Sequence, residues 1–112
     1  MNESILTSIK KLLGIAEEYT HFDTDIMIHI NSVLMDLQQL GVGPEDGFKI
    51  DNVADSWSEF LPSDKNLEAV KTYIYLRVRI IFDPPTNGAV MEAYKQEINK
   101  LEWRLNVQAE SE

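Results

Sequence analysis

Apolar residues recur along this chain at helical spacing in four stretches, separated by one long interval where the periodicity fails. Residues 3–13 place Ile5, Ile9, Leu12 and Leu13 on one side and end at Gly14, with Asn2 placed to cap the start. The strongest stripe is Ile26, Ile30, Val33, Leu37 and Leu40, predicting a helix over about 23–40. Asp23 or Thr24 is placed to cap it, and Gly41 closes it. A third helix is predicted over about 65–82, with Leu67, Val70, Ile74, Val78 and Ile81 inward and Ser63 or Asp64 as cap. The fourth begins near Asn87 and reaches about Asn106, with Met91, Tyr94, Ile98, Leu101 and Leu105 forming a seam. The remaining residues, 107–112, read as a frayed polar tail.

Residues 41–63, "GVGPEDGFKIDNVADSWSEFLPS", break the pattern with Gly41, Gly43, Pro44 and Gly47. "FKI" suits a short extended piece, and "DSWSEFL" a helical turn pressing Trp57 and Phe60 inward. The expected fold is therefore all-α: a small bundle of four main helices with a long irregular loop (about 41–63, including a short helical turn) between the second and third. So long a connection within 112 residues is usually functional or partly mobile.

Composition narrows the class. A length of 112 residues and a hydrophobic fraction of 44% fit one globular domain spanning 1–112. No apolar run approaches the roughly 20 residues that cross a bilayer, and the N-terminus lacks the basic-then-apolar order of a signal peptide. The absence of cysteine removes thiol catalysis and Cys-ligated zinc, and suits a cytoplasmic site of synthesis. The net charge of −9 argues against a partner that is mainly phosphate backbone. The acid is uneven: in 23–56, seven acidic groups face only Lys49, giving −6 of the total. Such a segment is either a solubilising face or a docking surface for a basic partner.

Catalytic and cofactor patterns are missing. His21 and His29 are eight apart and do not make a helical metal pair. Asp23 and Asp25 at a helix head are explained by capping and the helix dipole. No nucleophile elbow, phosphate loop, dinucleotide fingerprint or EF-hand pattern is present, so neither enzymatic activity nor a cofactor is expected. Trp103 with Arg104 near the chain end reads either as packing or as a subunit-contact anchor.

The stretch "YLRVRIIFDPP", residues 75–85, combines a buried helix end with two arginines and a proline stop. Asp83 before Pro84 disfavours helix, so a stiff corner is expected near Phe82. Arg77 and Arg79 are two apart and point to different sides of the helix.

"NLEAVKTYIYLRVRIIFDPP", then "EINKLEWRLNVQAE", preceded by "HFDTDIMIHINSVLMDLQQLGVGPEDGF", resembles the head-tail connector (adaptor) proteins of tailed bacteriophages and prophages of Gram-positive bacteria. The likeness covers nearly the whole chain and rests on the order of segments, not on a catalytic motif. It implies a structural virion protein, made in the host cytoplasm, that assembles as a dodecameric ring. The implied partners are further copies of itself, the portal protein and a tail-side completion or stopper protein, with DNA passing through unbound and no membrane. It also implies that residues 41–56 and about 103–112 make the contacts. The interface candidates are Pro44, Glu45, Asp46, Phe48 and Lys49 in the loop, Arg77 and Arg79 at the corner, where the resemblance implies that one arginine serves the fold and the other a neighbour's acid, and Trp103 and Arg104 at the end. The competing reading is a small acidic binding or regulatory protein, such as a nucleic-acid mimic or host-factor inhibitor.

Overall fold

The computed structural model describes residues 3–63 and 66–110. Over them run α1 (Ile5–Leu13), α2 (Asp23–Gln39), the short α3 (Trp57–Phe60), α4 (Leu67–Phe82) and α5 (Gly88–Glu110). Among the described residues there is no strand, only an isolated antiparallel bridge between Ser4 and Ser56. The fold is all-α, as the periodicity predicts. Helix α4 is central, packing against α1, α2 and α5, while α1 also touches α2. One hydrophobic cluster joins Ile5, Ile9, Ile30, Leu37, Ile74 and Leu101 with neighbours from every helix.

Helix ends follow local chemistry. Ser4 caps α1 by accepting the Thr7 N–H at 3.1 Å; Asn2 lies outside the described residues. Asn87 caps α5, its Oδ1 accepting from Ala89 N at 2.8 Å and Val90 N at 3.2 Å. At the end of α2, Val42 N donates to Leu37 O and Gly41 N to Gln38 O. This paired closure needs a left-handed residue, which Gly41 supplies at φ 89°.

The structure corrects several sequence expectations. Phe22, with no side-chain cap bond, holds the N-cap position of α2. Asp23 instead pairs with Lys10 at 2.8 Å. Asn66, in the left-handed region at φ 66°, holds the N-cap position of α4, not Ser63; Asp64 and Lys65 lie outside the described residues. Leu12 and Ile81 are 49% and 58% exposed, because the buried side of α1 turns toward Leu6 and Lys10, and in the last turn of α4 it is Ile80 and Phe82, not Ile81, that pack on the core. The tail expected to fray from residue 107 continues as helix to Glu110, with Gln108 and Ala109 half-buried.

The long connection is pinned rather than loose. "FKI" forms no strand. Asn31 on α2 takes the place of a neighbouring strand, donating Nδ2–H to Ile50 O at 2.8 Å and accepting Ile50 N–H at 2.7 Å. This holds Ile50 at 1% exposure in the core. Next, Asp55 Oδ2 accepts from Asp51 N and Asn52 N, closing a turn. Ser56 and Glu59 then form a capping box on α3. Replacing Asn31 by alanine is expected to cost about 1–3 kcal/mol, two bonds to buried backbone being lost together. Amide exchange should rise first at residues 48–51; unchanged protection there would refute the pinning role.

Candidate functional site

The loop candidates share one end of the bundle. Gly47 N donates to Pro44 O at 3.0 Å, folding Pro44, Glu45 and Asp46 into a turn. Gln38 of α2 holds it by donating Nε2–H to Glu45 O at 2.8 Å. The carboxylates of Glu45 and Asp46 therefore stand in solvent, as does Lys49, while Phe48 is half-buried. The Phe48 ring lies 5.3 Å from that of Phe60. Gly43, at φ 90°, passes so close to the Phe60 ring that an added Cβ would overlap it. Beside this contact opens a groove of about 450 Å³ whose walls include Val42, Pro44, Leu61, Pro62, Leu105 and Ala109. The groove wall is mostly hydrocarbon and carries no convergent set of reactive groups.

The corner arginines are both engaged within the chain. Arg77 donates from Nη2 to Asp36 Oδ2 and from Nη1 to the Tyr73 hydroxyl, each at 2.6 Å. Tyr73 in turn donates to Glu102 Oε2 at 2.7 Å. One network thus ties α2, α4 and α5 together. Burial, and then the bond to Glu102, push the Tyr73 hydroxyl well above its usual range. Arg79 donates Nε–H to Asp83 O at 2.9 Å and from Nη1 to the Tyr75 hydroxyl at 3.0 Å. Its guanidinium also lies 5.9 Å from the Tyr94 ring. Arg77 thus joins three helices, and Arg79 closes the α4 corner on two neutral oxygens.

Trp103 is 70% exposed on α5, and Arg104 beside it is exposed. Trp57, by contrast, is 1% exposed. The inward position of Trp57 is the one its segment predicts.

Lys10 is the group the sequence conceals. It is 2% exposed, and its ammonium donates to Glu17 O at 2.9 Å and Tyr19 O at 2.8 Å while pairing with Asp23. Two carbonyls accept its hydrogen bonds and the Asp23 carboxylate supplies the opposite charge, so the buried ammonium is compensated and fastens the turn between α1 and α2. Its two carbonyl acceptors lie in a turn that no periodicity marks.

His21 is exposed and stacks edge-on with Phe22 at 4.8 Å. Among the described residues, no group of three or more His, Cys, Asp or Glu is placed to hold a metal ion. None of the helices there is long and apolar enough to cross a membrane.

The family model described as Phage connector protein matches residues 5–112. No curated protein matches, and no solved structure does.

Proposed function

The chain belongs to the phage connector protein family, and from that membership we propose that it is a head-tail connector subunit. In this reading, copies form a ring that seats on the capsid portal, receives tail-side proteins on its other face and lets DNA pass. The observation that carries it is the family match over 5–112, nearly the whole chain. Three features support the mechanical part. The helices are cross-tied by Arg77, the loop is anchored by Asn31, and the α4–α5 corner is stiffened by two prolines. A ring subunit needs such fixed angles, because small errors per subunit accumulate around a closed circle. The net charge of −9 suits a channel that phosphate traverses without sticking.

The test is negative-stain microscopy of the protein mixed with its cognate portal. A new density layer on the portal ring is the expected result. Its absence across a range of salt concentrations would overturn the reading. A channel lined with Lys and Arg in the assembled ring would overturn the charge argument separately. The exposed Glu45, Asp46 and Asp51 also fit an acidic binding protein, which a gene neighbourhood without portal and capsid genes would favour.

A further inference from the structure

We propose that neighbouring subunits join head to tail, the outer face of α5 around Trp103 on one copy seating on the outer face of α2 around Ile28 and Met35 on the next. This deepens the ring reading and rests on it.

The first face lies on the C-terminal half of α5. Gln96, Lys100, Trp103, Arg104 and Val107 follow i, i+4, i+7, i+8, i+11 spacing, on the side away from the buried Ile98, Leu101 and Leu105. All five are exposed, with Trp103 at 70% and Val107 at 40%. Lys100 reaches Glu97 only loosely, at 3.7 Å. Arg104 forms no ion pair with another described residue. On an acidic chain this is a local apolar centre with cationic flanks. Tryptophan and arginine side by side are also the residue types that dominate interface energetics.

The second face has the opposite character. Ile28 and Met35, two turns apart, are 60% and 62% exposed on the side of α2 away from Ile26, Ile30, Val33 and Leu37. Asp25 stands at the N-terminal end of this face. Along one flank the loop is held against α2 by Gln38 and Asn31, which brings the exposed acids Glu45, Asp46 and Asp51 alongside. Only Lys49 opposes them within the loop. The result is an apolar centre with an acidic rim, complementary in charge to the α5 face.

The two faces can be used at once. Helix α4 stands between α2 and α5, each packing on it. A direct tie between the flanking helices is at their C-terminal ends, where Asn106 Nδ2 donates to Leu40 O at 3.3 Å. Each outer face lies on the side of its own helix away from that helix's buried residues, on a body measuring 38 × 35 × 21 Å. Two different complementary patches on one chain make a heterologous contact, and such contacts close into rings when the rotation permits. The occupant of the α2 face is therefore a second copy of this chain.

The chain has no cysteine, so single thiols can be placed at will. Trp103→Cys and Met35→Cys both alter exposed side chains and should fold. The two variants, mixed in equal amounts with the portal, are treated with a short bis-maleimide. The 103–35 product is expected to exceed same-residue products at least fivefold, and a chain carrying both substitutions should give a ladder of multimers. Same-residue products alone would overturn the head-to-tail pairing. Charge supplies a second arm: Lys100→Glu with Arg104→Glu should cut the mixed product about tenfold, and adding Glu45→Lys and Asp46→Lys to the facing copy should restore part of it. Indifference to both changes would overturn the charge match and point to an unrelated basic occupant. Microscopy of the same samples separates the failures. Rings on the portal without the 103–35 product overturn these faces and leave the connector reading intact. Absence of rings with the unsubstituted chain overturns that reading and this one with it.

Discussion

Trp57→Ala is expected to remove about 3–5 kcal/mol of stability, the cost of deleting a large, fully packed aromatic side chain. Small domains hold only about 5–15 kcal/mol in total, so this substitution alone should bring the chain near its folding threshold. The residue is 1% exposed and ends the long loop. Its backbone N–H donates to Glu3 O at 3.0 Å, while Ile5 N donates to Asp55 O at the same distance. The indole N–H donates to Ser8 Oγ at 2.9 Å, and Ser8 donates to Ser4 O at 2.7 Å. Lys71 on α4 lies 5.6 Å from the ring centre. Loop, α1 and α4 therefore meet on one side chain, and its loss should loosen all three together. Urea denaturation followed by circular dichroism reads the loss directly. Trp57→Phe should fall between, keeping most of the apolar contact but leaving Ser8 without its donor. Trp103→Ala, at an exposed position, should change stability by no more than about 0.5 kcal/mol. A Trp57→Ala chain that unfolds within about 1 kcal/mol of the parent would refute this account of the loop's anchor.

Much of this architecture is legible in the order of residues alone, and the reason differs by element. The α2 stripe is readable because one face of a long helix is covered along its whole length, so 3.6-residue periodicity survives from Ile26 to Leu37. Gly41 and Asn87 are readable because caps are local chemistry. Leu12 and Ile81 mislead because a short apolar stripe does not fix which sector of a helix its neighbours cover. The C-terminal extension of α5 misleads because "VQAE" is polar by composition, whereas its burial depends on the loop at Gly41, where an added Cβ would meet Ala109 Cβ at 2.9 Å. Least visible are Lys10 and Asn31. Each satisfies backbone groups seven to nineteen residues away, in segments without regular structure, and no spacing rule reaches them. The candidate surfaces are legible by residue type, as acid in one segment and Trp-Arg in another. Their placement on two separate helices that both pack on α4 comes only from packing.

Arg77→Ala is expected to cost about 1–3 kcal/mol, below the value for a fully buried pair because water can reach Asp36 and Glu102 once the guanidinium is gone. The side chain is 20% exposed and its partners are 46% and 39% exposed. Part of the loss is packing, since the stem crosses the Tyr73 ring, with the guanidinium 5.5 Å from its centre. Arg77→Lys should recover only a portion, because one ammonium cannot reproduce the fork between Asp36 and the Tyr73 hydroxyl. Arg79→Ala should leave melting nearly unchanged, its contacts lying at the solvent side of the α4 end. Alkaline unfolding gives an independent readout of the same network. The folded Tyr73 holds its proton above the ordinary value of 10.0. Above about pH 10 the unfolded chain therefore loses a proton that the folded chain keeps, and stability falls as pH rises, by up to about 1.4 kcal/mol per unit. Below about pH 10 this contribution is fully present. Tyr73→Phe should remove that part of the alkaline slope. Because the network joins α2, α4 and α5, its loss should also change the angle between the two outer faces. Arg77→Ala should therefore weaken monomer stability and ring formation together, whereas Trp103→Ala should weaken ring formation alone. Equal defects in both assays for the two variants would refute the separation of fold from contact on which the head-to-tail arrangement depends.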